Sequence, residues 1–350
     1  MPELSATPTT TGDAVSAPEL AATDQPNPAT SPARRKTGTD FWAKYTLGLV
    51  LVLVCLLFSV LKPETFPTYV NATAILSSQT VLLVLALAAL FPLVAGEFDL
   101  SVGYTLGFSA MLLAVLTAED GVPVPVAVFL AIAVGGVMGA VNAFLIITLR
   151  VNAFIATLAS GTVLQGLTLW VSEGRVIAGL PESIPNVGRT QIWDMPIFVP
   201  CAAVAALIIG FVLERTPVGR YLYATGSGRE AARLAGVRTN WLLALAFIVS
   251  GLFSGIAGVM QTAILGAANP DVGAQYLLPV FAAGFLGATA IRPGRFNVGG
   301  TVLALLLLAV GIAGLSQLGA PLWVSPVFNG LALIVAVALA VKRRDSLSAT

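Results

Sequence analysis

The chain has 350 residues, of which 57% are hydrophobic and only 10% are charged, whereas soluble domains carry roughly 25% charged residues. A mean hydropathy of +0.91 therefore predicts an integral membrane protein, and a net charge of +1 provides no attraction to nucleic acid. The chain has no histidine, and its two cysteines do not form a CxxC pair, so no metal site, cofactor or disulfide is expected.

The N-terminal segment differs in composition from the rest of the chain. Residues 1–40 are rich in Pro, Thr, Ser and Ala, and they contain scattered acidic residues. Such a segment cannot bury a core, so it is predicted to be a disordered cytoplasmic tail. It does not resemble a signal peptide, because no basic start leads into an apolar run. Residues 41–345 are predicted to form a single transmembrane domain.

Ten apolar stretches follow the tail, and each is interpreted as a membrane-spanning helix, for which about 20 residues are needed. Their predicted spans are 43–61, 73–95, 100–118, 124–149, 153–173, 196–214, 241–265, 275–290, 297–316 and 322–341. The predicted fold is therefore an all-α, polytopic transmembrane bundle of about ten helices. Two long connections remain: an outer loop, 174–195, where a re-entrant or short surface helix is expected, and an inner loop, 215–240.

The basic residues predict which side of the membrane each connection faces. With the N-terminus placed inside, all but three of the 18 Lys and Arg residues fall in inner segments; the outer ones are Lys62, Arg175 and Arg189. Because cytoplasmic loops are enriched in Lys and Arg, this pattern favours ten crossings with both termini in the cytoplasm. The predicted location is the cytoplasmic (inner) membrane, crossed many times.

Two acidic residues stand at the start of the third predicted span, in the stretch FDLSVG. Asp99 is expected to cap a helix that begins at Leu100, with support from Ser101, and Glu97 would favour the positive end of that helix dipole. Alternatively, a broken helix leaves a polar site near the translocation path at these residues. One residue can serve both purposes.

Further polar residues lie at or within the predicted spans. Asn142 and Gln165 lie inside spans, Thr157 lies near the start of the fifth span, and Asn152 directly precedes it. A neutral, hydroxyl-rich solute needs hydrogen-bonding partners without fixed charge, so Asn152, Thr157 and Gln165 are candidates for the translocation path. Polar residues also join helices in lipid, and this second interpretation stays open for each of them.

Small residues recur at the spacing that lets two helices approach closely. Gly135 and Gly139 form one GxxxG motif, and Gly251 and Gly255 form another. Glycine at this spacing brings helix backbones together in lipid. The two motifs are therefore predicted to be packing seams between helices.

A short polar helix is predicted within the inner loop, in the stretch GREAARLAGV at 228–237. Ser227 and Glu230 have the spacing of a capping box, in which each side chain bonds the backbone N–H of the other residue. Gly236 is placed to end the helix in the left-handed conformation. The helix is predicted over 228–235, and so short a helix needs something to rest on.

The faces of this helix indicate what it touches. Ala231, Leu234 and Ala235 fall on one side at helical spacing, whereas Arg229, Glu230 and Arg233 project elsewhere. The apolar side either lies back on the protein's own helices or enters a groove on a partner. An ordinary solvated loop helix is the third interpretation.

Three segments, in order along the chain, carry a family resemblance. TPVGRYLYATGSGREAARLAGVRTN at 216–240 resembles the cytoplasmic loop of the permease subunits of ribose-type (monosaccharide) ABC importers, the binding-protein-dependent transport inner membrane components. GEFDLSVGYTLGFSA at 96–110 resembles that family's Gly-Ile-Asp-Leu-Ser-Val-Gly signature, and the segment 152–175 resembles its Pro-Phe-Ile-Ala-Thr-Leu-Gly stretch. The similarity covers roughly residues 45–341.

The resemblance implies a role for the short helix, which in this family docks on an ATPase subunit and transmits its closure to the membrane helices. This role would fall on Glu230, Ala231, Ala232, Arg233, Leu234, Ala235 and Gly236. The partners it implies are an ABC ATPase subunit, an extracytoplasmic solute-binding protein, a second permease copy or paralogue, and membrane lipid. RPGRFNVGGT at 292–301 and Asn152 depart from the family pattern, so the resemblance does not predict ribose as the solute.

Missing motifs limit what this chain does on its own. GxxxxGK[ST] is absent, so ATP hydrolysis would belong to a partner chain, and the protein is expected to be a transporter subunit with no catalytic residue. An ion-gradient-driven secondary carrier for a small neutral solute is the alternative, although such carriers usually keep ionisable residues inside the membrane. A membrane enzyme is disfavoured, since there is neither a histidine nor a GxSxG motif.

Overall fold

A computed structural model describes the backbone of residues 39–348 and the side chains of residues 45–338. The predicted disordered tail therefore lies outside the described residues, apart from residues 39 and 40, which already belong to the first helix. Several inner basic residues, including Arg34, Arg35, Lys36, Lys342 and Arg343, have no described side chains. The described part of the chain is mostly helical, as the hydropathy pattern predicts.

The described residues form fourteen α-helices and one short β-hairpin. The elements are α1 (Thr39–Leu61), α2 (Tyr69–Ser78), α3 (Thr80–Val94), α4 (Val102–Ala118), α5 (Val124–Ile147), α6 (Ala153–Ser172), α7 (Ser183–Arg189), β1 (Gln191–Ile192), β2 (Met195–Pro196), α8 (Phe198–Arg215), α9 (Pro217–Ser227), α10 (Arg229–Leu234), α11 (Thr239–Leu265), α12 (Val272–Gly287), α13 (Val298–Gln317) and α14 (Val324–Ser348).

Each of the ten predicted spans corresponds to a helix or to a pair of helices. Among the described residues, α5, α6, α8, α11 and α13 are long and apolar enough to cross a membrane, and α2 with α3 makes a sixth span if the pair counts as one. Shorter apolar helices occupy Tyr45–Leu61, Val102–Ala118, Val272–Gly287 and Val324–Ala338. The all-α membrane fold is thus confirmed at five to six clear spans. Ten crossings and the orientation of the termini stay predictions.

The second predicted span, 73–95, is wrong as a single helix, because α2 and α3 meet at Gln79 with a bend of 42°. The hydroxyls around the bend donate to backbone carbonyls: Ser78 Oγ bonds Ile75 O at 2.8 Å, and Thr80 Oγ1 bonds Ser77 O at 2.8 Å. Such back-bonding competes with the helix ladder and bends helices. Hydropathy reports that a stretch is apolar, and it does not report this local competition.

Helices α5 and α11 have the most extensive contact among the described helices, and the two predicted glycine motifs lie in it. A Cβ atom added at Gly135 would collide with the carbonyl oxygen of Gly251, and one added at Gly251 would collide with that of Gly135. Gly139 faces the carbonyl of Phe247 in the same way. The prediction of a packing seam is confirmed, and backbone meets backbone because glycine has no side chain.

The loop 174–195, which is predicted to face outward, contains a short helix, as expected from the sequence. This helix, α7, buries Ile184 and approaches the backbone of α11 at Ala263 through Gly188. The β1–β2 hairpin follows, and its turn residues Trp193 and Asp194 both have positive φ, 53° and 58°. The loop 215–240, which is predicted to face inward, holds two helices, α9 and α10, although only the second is predicted from the sequence.

Candidate functional site

Helix α10 spans Arg229–Leu234 and is shorter than the predicted 228–235. The capping-box prediction for Ser227 and Glu230 is wrong, because the N-cap residue is Gly228 and it makes no side-chain cap bond. Ser227 is instead the last residue of α9, and its Oγ donates to Tyr223 O at 2.8 Å. The hydroxyl of Ser227 is taken by the carbonyl four residues earlier, a common competitor in helices.

The end of α10 agrees with the sequence. Gly236 has φ of +84°, the left-handed conformation that glycine adopts without strain. Its N–H bonds Arg233 O at 2.9 Å, and the N–H of Val237 bonds Ala232 O at 3.0 Å. This pair of bonds is a Schellman motif, which satisfies the last carbonyls of a helix. The prediction that Gly236 ends the helix is confirmed.

The apolar side of α10 faces away from the protein's own helices. Ala232 is buried, with 7% of its surface exposed, and it anchors α10 to the bundle. Ala231, Leu234 and Ala235 are exposed, and Leu234 reaches 83%. The sequence leaves open whether this apolar side packs on the protein's own helices or enters a groove on a partner. Within the described residues, it does not pack on the protein's own helices. The face is free to enter a groove on a partner.

Contacts tie the start of α10 to the connection between α3 and α4. Arg229 Nη1 lies 3.5 Å from Glu97 Oε1, and Arg229 Nη2 donates to Asn240 Oδ1 at 3.2 Å. Burial raises the pKa of the Glu97 carboxyl, and Arg229 partly opposes this rise. Gly226, near the end of α9, packs so closely on Val94 O that a Cβ atom would collide with it. Segment 95–101 and the loop helices are thus in direct contact.

Asp99, in the same connection, is the centre of a buried hydrogen-bond network. Its Oδ1 accepts from Ser101 Oγ at 2.6 Å and from Ser101 N at 3.1 Å, and its Oδ2 accepts from Ser250 Oγ at 2.8 Å. Only 2% of Asp99 is exposed. Because no cation contacts it among the described side chains, hydroxyl and amide donors alone compensate this buried carboxyl.

The network continues from Ser101 into two further helices. Asn142 Nδ2, on α5, donates to Ser101 Oγ at 2.8 Å, and Ser160 Oγ, on α6, donates to Asn142 Oδ1 at 2.7 Å. All these donors point toward Asp99, which is the terminal acceptor. With Ser250 on α11, the network joins four membrane helices at the start of α4.

The predicted helix start at Leu100 is wrong by two residues, because α4 begins at Val102 and its N-cap Ser101 makes no side-chain cap bond. The N–H of Leu100 bonds Thr157 Oγ1 at 3.0 Å, and Thr157 is fully buried. Asp99 bonds the N–H of Ser101, so it orders the residues before the helix without capping its first turn. The hydrogen bond to the backbone before α4 thus comes from Thr157 on α6, whereas the sequence predicts it from a residue next to the helix start.

The other candidates for the path lie apart from this cluster. Asn152 is exposed and caps α6, where its Oδ1 accepts from Phe154 N at 3.0 Å. Gln165 lies further along α6, and its Nε2 donates to Pro270 O at 3.2 Å. The structure therefore brings together Asp99, Ser101 and Thr157. Sequence reasoning missed Ser160 and Ser250, since single serines in apolar helices carry no pattern.

A cavity of about 800 Å³ lies elsewhere, among α2, α3, α8 and α13. Its lining is almost entirely apolar, with Gln79, Thr80, Glu214 and Arg215 as the polar exceptions. None of the predicted path residues lines it. The predicted path residues and the cavity are thus separate features of the chain.

Comparison with known proteins identifies the family. Residues 71–337 match the family described as branched-chain amino acid transport system / permease component. The chain is 30% identical over 299 residues to the D-allose transport system permease protein AlsC of Escherichia coli (strain K12), covering 85% of this chain and 92% of that protein. It is 32% identical over 295 residues to the ribose import permease protein RbsC of Bacillus subtilis (strain 168), covering 84% and 90%.

A third relative carries a different solute in its name. The autoinducer 2 import system permease protein LsrD of Photorhabdus luminescens is 29% identical over 309 residues, covering 86% of this chain and 91% of that protein. No solved structure matches the chain. The matches span nearly the whole described bundle, including segment 95–101 and α10, so the chain belongs to the branched-chain amino acid transport system / permease component family, as a permease of the ribose-type ABC importers.

Proposed function

We propose that this chain is the permease subunit of an importer for a monosaccharide or similar polyol-like solute, driven by ATP hydrolysis on a separate subunit. Helix α10 is the docking element for that ATPase. The observation that carries this proposal is the exposed apolar face of α10, because Leu234 projects into solvent from a helix anchored by buried Ala232. An apolar face on a short, anchored helix fits a groove on a partner.

Motion of α10 has a short route into the membrane. Arg229 contacts Glu97, and Gly226 packs against residues 94–96, so a shift of the loop helices displaces segment 95–101. That segment carries Asp99, whose hydrogen bonds reach α11 directly and α5 and α6 through Ser101. Closure of the ATPase therefore acts at the start of α4, where the four helices meet.

The remaining parts of the proposal concern topology and partners. Ten crossings place α9 and α10 in the cytoplasm together with both termini, and they place α7 and the β-hairpin outside. A solute-binding protein delivers the solute at this outer face, near 174–195. Two permease copies, identical or related, form the path between them. The relatives that are named for allose and ribose support a sugar as the solute.

The exposed face of α10 is tested by charge. Leu234→Glu places a carboxylate in the docking face without burying it in the chain, so we expect the ATPase to dissociate while the chain stays folded. The tagged chain is purified gently from its own membranes, and proteins that co-purify are identified by mass spectrometry. A near-stoichiometric protein carrying GxxxxGK[ST] should accompany the wild type and be lost from the variant.

Leu322→Glu is the matched control, because Leu322 is 94% exposed in the connection between α13 and α14, remote in sequence from α10. This variant should retain the ATPase. Uptake of radiolabelled ribose and allose into vesicles from cells that express the chain with its co-purifying partners should follow the same order. Retention of the ATPase by Leu234→Glu, or equal loss with Leu322→Glu, contradicts the assignment of α10.

Buried Asp99 favours one second candidate, a secondary carrier driven by an ion gradient, because a carboxyl inside a membrane bundle is a common coupling group. The two functions differ in their energy source. A protonophore, added while ATP is held constant, should leave uptake unchanged for an ATP-driven importer. Loss of uptake under these conditions would establish the carrier in its place.

A further inference from the structure

A second cavity, of about 530 Å³, opens on the face of the protein that carries α9 and α10. Three arginines from different parts of the chain line it: Arg150 follows α5, Arg233 lies on α10, and Arg238 is the N-cap residue of α11. The other lining residues are Val237, Thr239, Asn240 and Trp241. No acidic residue lines this arginine cavity, and the N-terminus of a 27-residue helix opens into it.

The three arginines lack partners among the described residues. Neither an ion pair nor a hydrogen bond reaches the guanidinium of Arg150, Arg233 or Arg238. Two other arginines are paired, since Arg229 contacts Glu97 and Arg292 Nη2 lies 3.0 Å from Glu214 Oε2, whereas Arg220 on α9 has no such contact in the described part of the chain. Three like charges around one cavity repel each other, and an anion between them relieves this repulsion.

The backbone holds one of these arginines in an unusual conformation. Arg150 has φ of 56°, a region that favours glycine and that few other residues occupy. Residues held in this way cluster at binding sites, where the surrounding structure fixes them. Glu173 has a similar φ of 50° at the end of α6, so this conformation is that of a chain leaving a helix, and it fixes the backbone from which Arg150 lines the cavity.

Apolar residues around the cavity indicate that it faces lipid. Trp241 lines the cavity and is 58% exposed, and three residues close in sequence to Arg150 are exposed as well: Leu149, Phe154 and Ile155. Tryptophan is enriched where membrane helices enter the headgroup layer. An exposed tryptophan in the first turn of α11 therefore favours a position of the arginine cavity at the headgroup layer.

We propose that the arginine cavity binds a phosphate ester, and that its source is the headgroup of an anionic phospholipid. Arginine holds phosphate through paired N–H donors, and the N-terminal N–H groups of α11 add donors of the same sign. Basic pockets between membrane helices bind anionic headgroups. This lipid site is additional to the proposed transport function. Because Arg233 lies on α10, a lipid bound in the arginine cavity also contacts the docking helix.

Native mass spectrometry of the full chain in detergent tests this site, with phosphatidylglycerol and phosphatidylcholine as probes. The wild type should retain phosphatidylglycerol in preference to phosphatidylcholine. Arg150→Gln and Arg238→Gln should each weaken this retention about fivefold, since a basic residue near an anionic surface contributes that much. Arg233 stays unchanged in the test, because it belongs to the docking helix.

Arg220→Gln is the matched control: Arg220 is exposed on the same face, and it does not line the cavity. This variant removes the same charge and should leave retention unchanged. Arg150→Lys keeps the charge at the strained position and should restore part of the retention, which separates binding from folding. Equal retention in the wild type and in the Arg150→Gln, Arg238→Gln double variant would overturn the proposal.

Two further outcomes decide the source of the anion. If the headgroup and the acyl chains both contribute to binding, millimolar inorganic phosphate should not prevent the chain from retaining phosphatidylglycerol. Loss of phosphatidylglycerol at millimolar phosphate assigns the site to free phosphate and overturns the lipid source. Retention that is unchanged in the variants while the ATPase dissociates would assign the arginines to protein docking. That result leaves the role of α10 standing and overturns the lipid site.

Discussion

Segment 95–101 and helix α10 lie next to each other, but the first buries a charged side chain, whereas the second exposes its charged side chains. Asp99 is buried and has three hydrogen bonds, all from residues of the same chain. Helix α10 is six residues long, it keeps Glu230 and Arg233 in solvent, and it also leaves Leu234 exposed. The buried carboxyl of segment 95–101 has its hydrogen bonds within the chain, which marks this segment as part of the bundle. The apolar face of α10 is exposed, and such a face suits contact with another chain.

The largest expected effect comes from removing the centre of the buried network. Asp99→Ala removes the acceptor of three hydrogen bonds. The donors left without it are Ser250 Oγ, Ser101 Oγ and Ser101 N. Buried groups left unpaired cost about 1–3 kcal/mol each, so we expect a loss of about 3 kcal/mol or more in the free energy of unfolding. Thermal unfolding of the purified chain in detergent measures this change.

Ser160→Ala is the control for this prediction, because it removes only one bond of the network, at its far end, together with the bond from Ser160 Oγ to Thr157 O on the same helix. We expect it to cost about 1 kcal/mol or less, as is typical of one hydrogen bond between membrane helices. Similar unfolding midpoints for the two variants would show that Asp99 is not the centre of the network.

The contact between the two regions is expected to have an intermediate effect. Gly226→Val places a side chain against Val94 O and the backbone of Gly96, so α9 must move away from segment 95–101. Overpacking of this kind costs roughly 1–3 kcal/mol. Gly228→Ala is the control, since its Cβ meets only Ala231 Cβ at 3.7 Å and its extended backbone accepts any residue.

Uptake separates a broken link from simple destabilisation. If segment 95–101 transmits motion from α10, Gly226→Val should abolish sugar uptake in cells at a temperature where the chain remains folded, while Gly228→Ala retains it. Full uptake by Gly226→Val would show that another contact connects the loop helices to the membrane.

The smallest effect is expected at the ion pair between Glu97 and Arg229. Glu97→Gln removes the charge of a carboxyl whose pKa is raised by burial. This carboxyl lies 3.5 Å from the half-exposed guanidinium of Arg229. The lost attraction and the relieved burial oppose each other, so the free energy of unfolding should change by less than about 1 kcal/mol. Unfolding midpoints at low and high salt measure it, and a shift as large as that of Asp99→Ala would contradict this ranking.

Local patterns in the sequence predict the features that depend on neighbours along the chain. Apolar stretches predict the helices, the spacing of Gly135 and Gly139 predicts the packing seam, and Gly236 predicts the end of α10. The capping role of Ser227 failed because the sequence does not reveal that α9 extends through that residue. Its hydroxyl then bonds within its own helix.

The network around Asp99 shows what local patterns cannot predict. Ser250 is separated from Asp99 by 151 positions, and Asn142 from Ser101 by 41. A serine in an apolar helix reads equally well as a lipid-facing or a buried residue, because its own backbone carbonyls can satisfy it. Only the packing of four helices decides which serines meet the carboxyl.

The glycine seam between α5 and α11 limits the motions available to the transporter. Because backbone contacts backbone at Gly135, Gly139 and Gly251, a side chain at any of these positions would force α5 and α11 apart, and we expect the two helices to move together. We expect the conformational changes of transport to use other boundaries, such as the apolar cavity among α2, α3, α8 and α13. We expect the α5–α11 pair to act as the frame against which other helices shift.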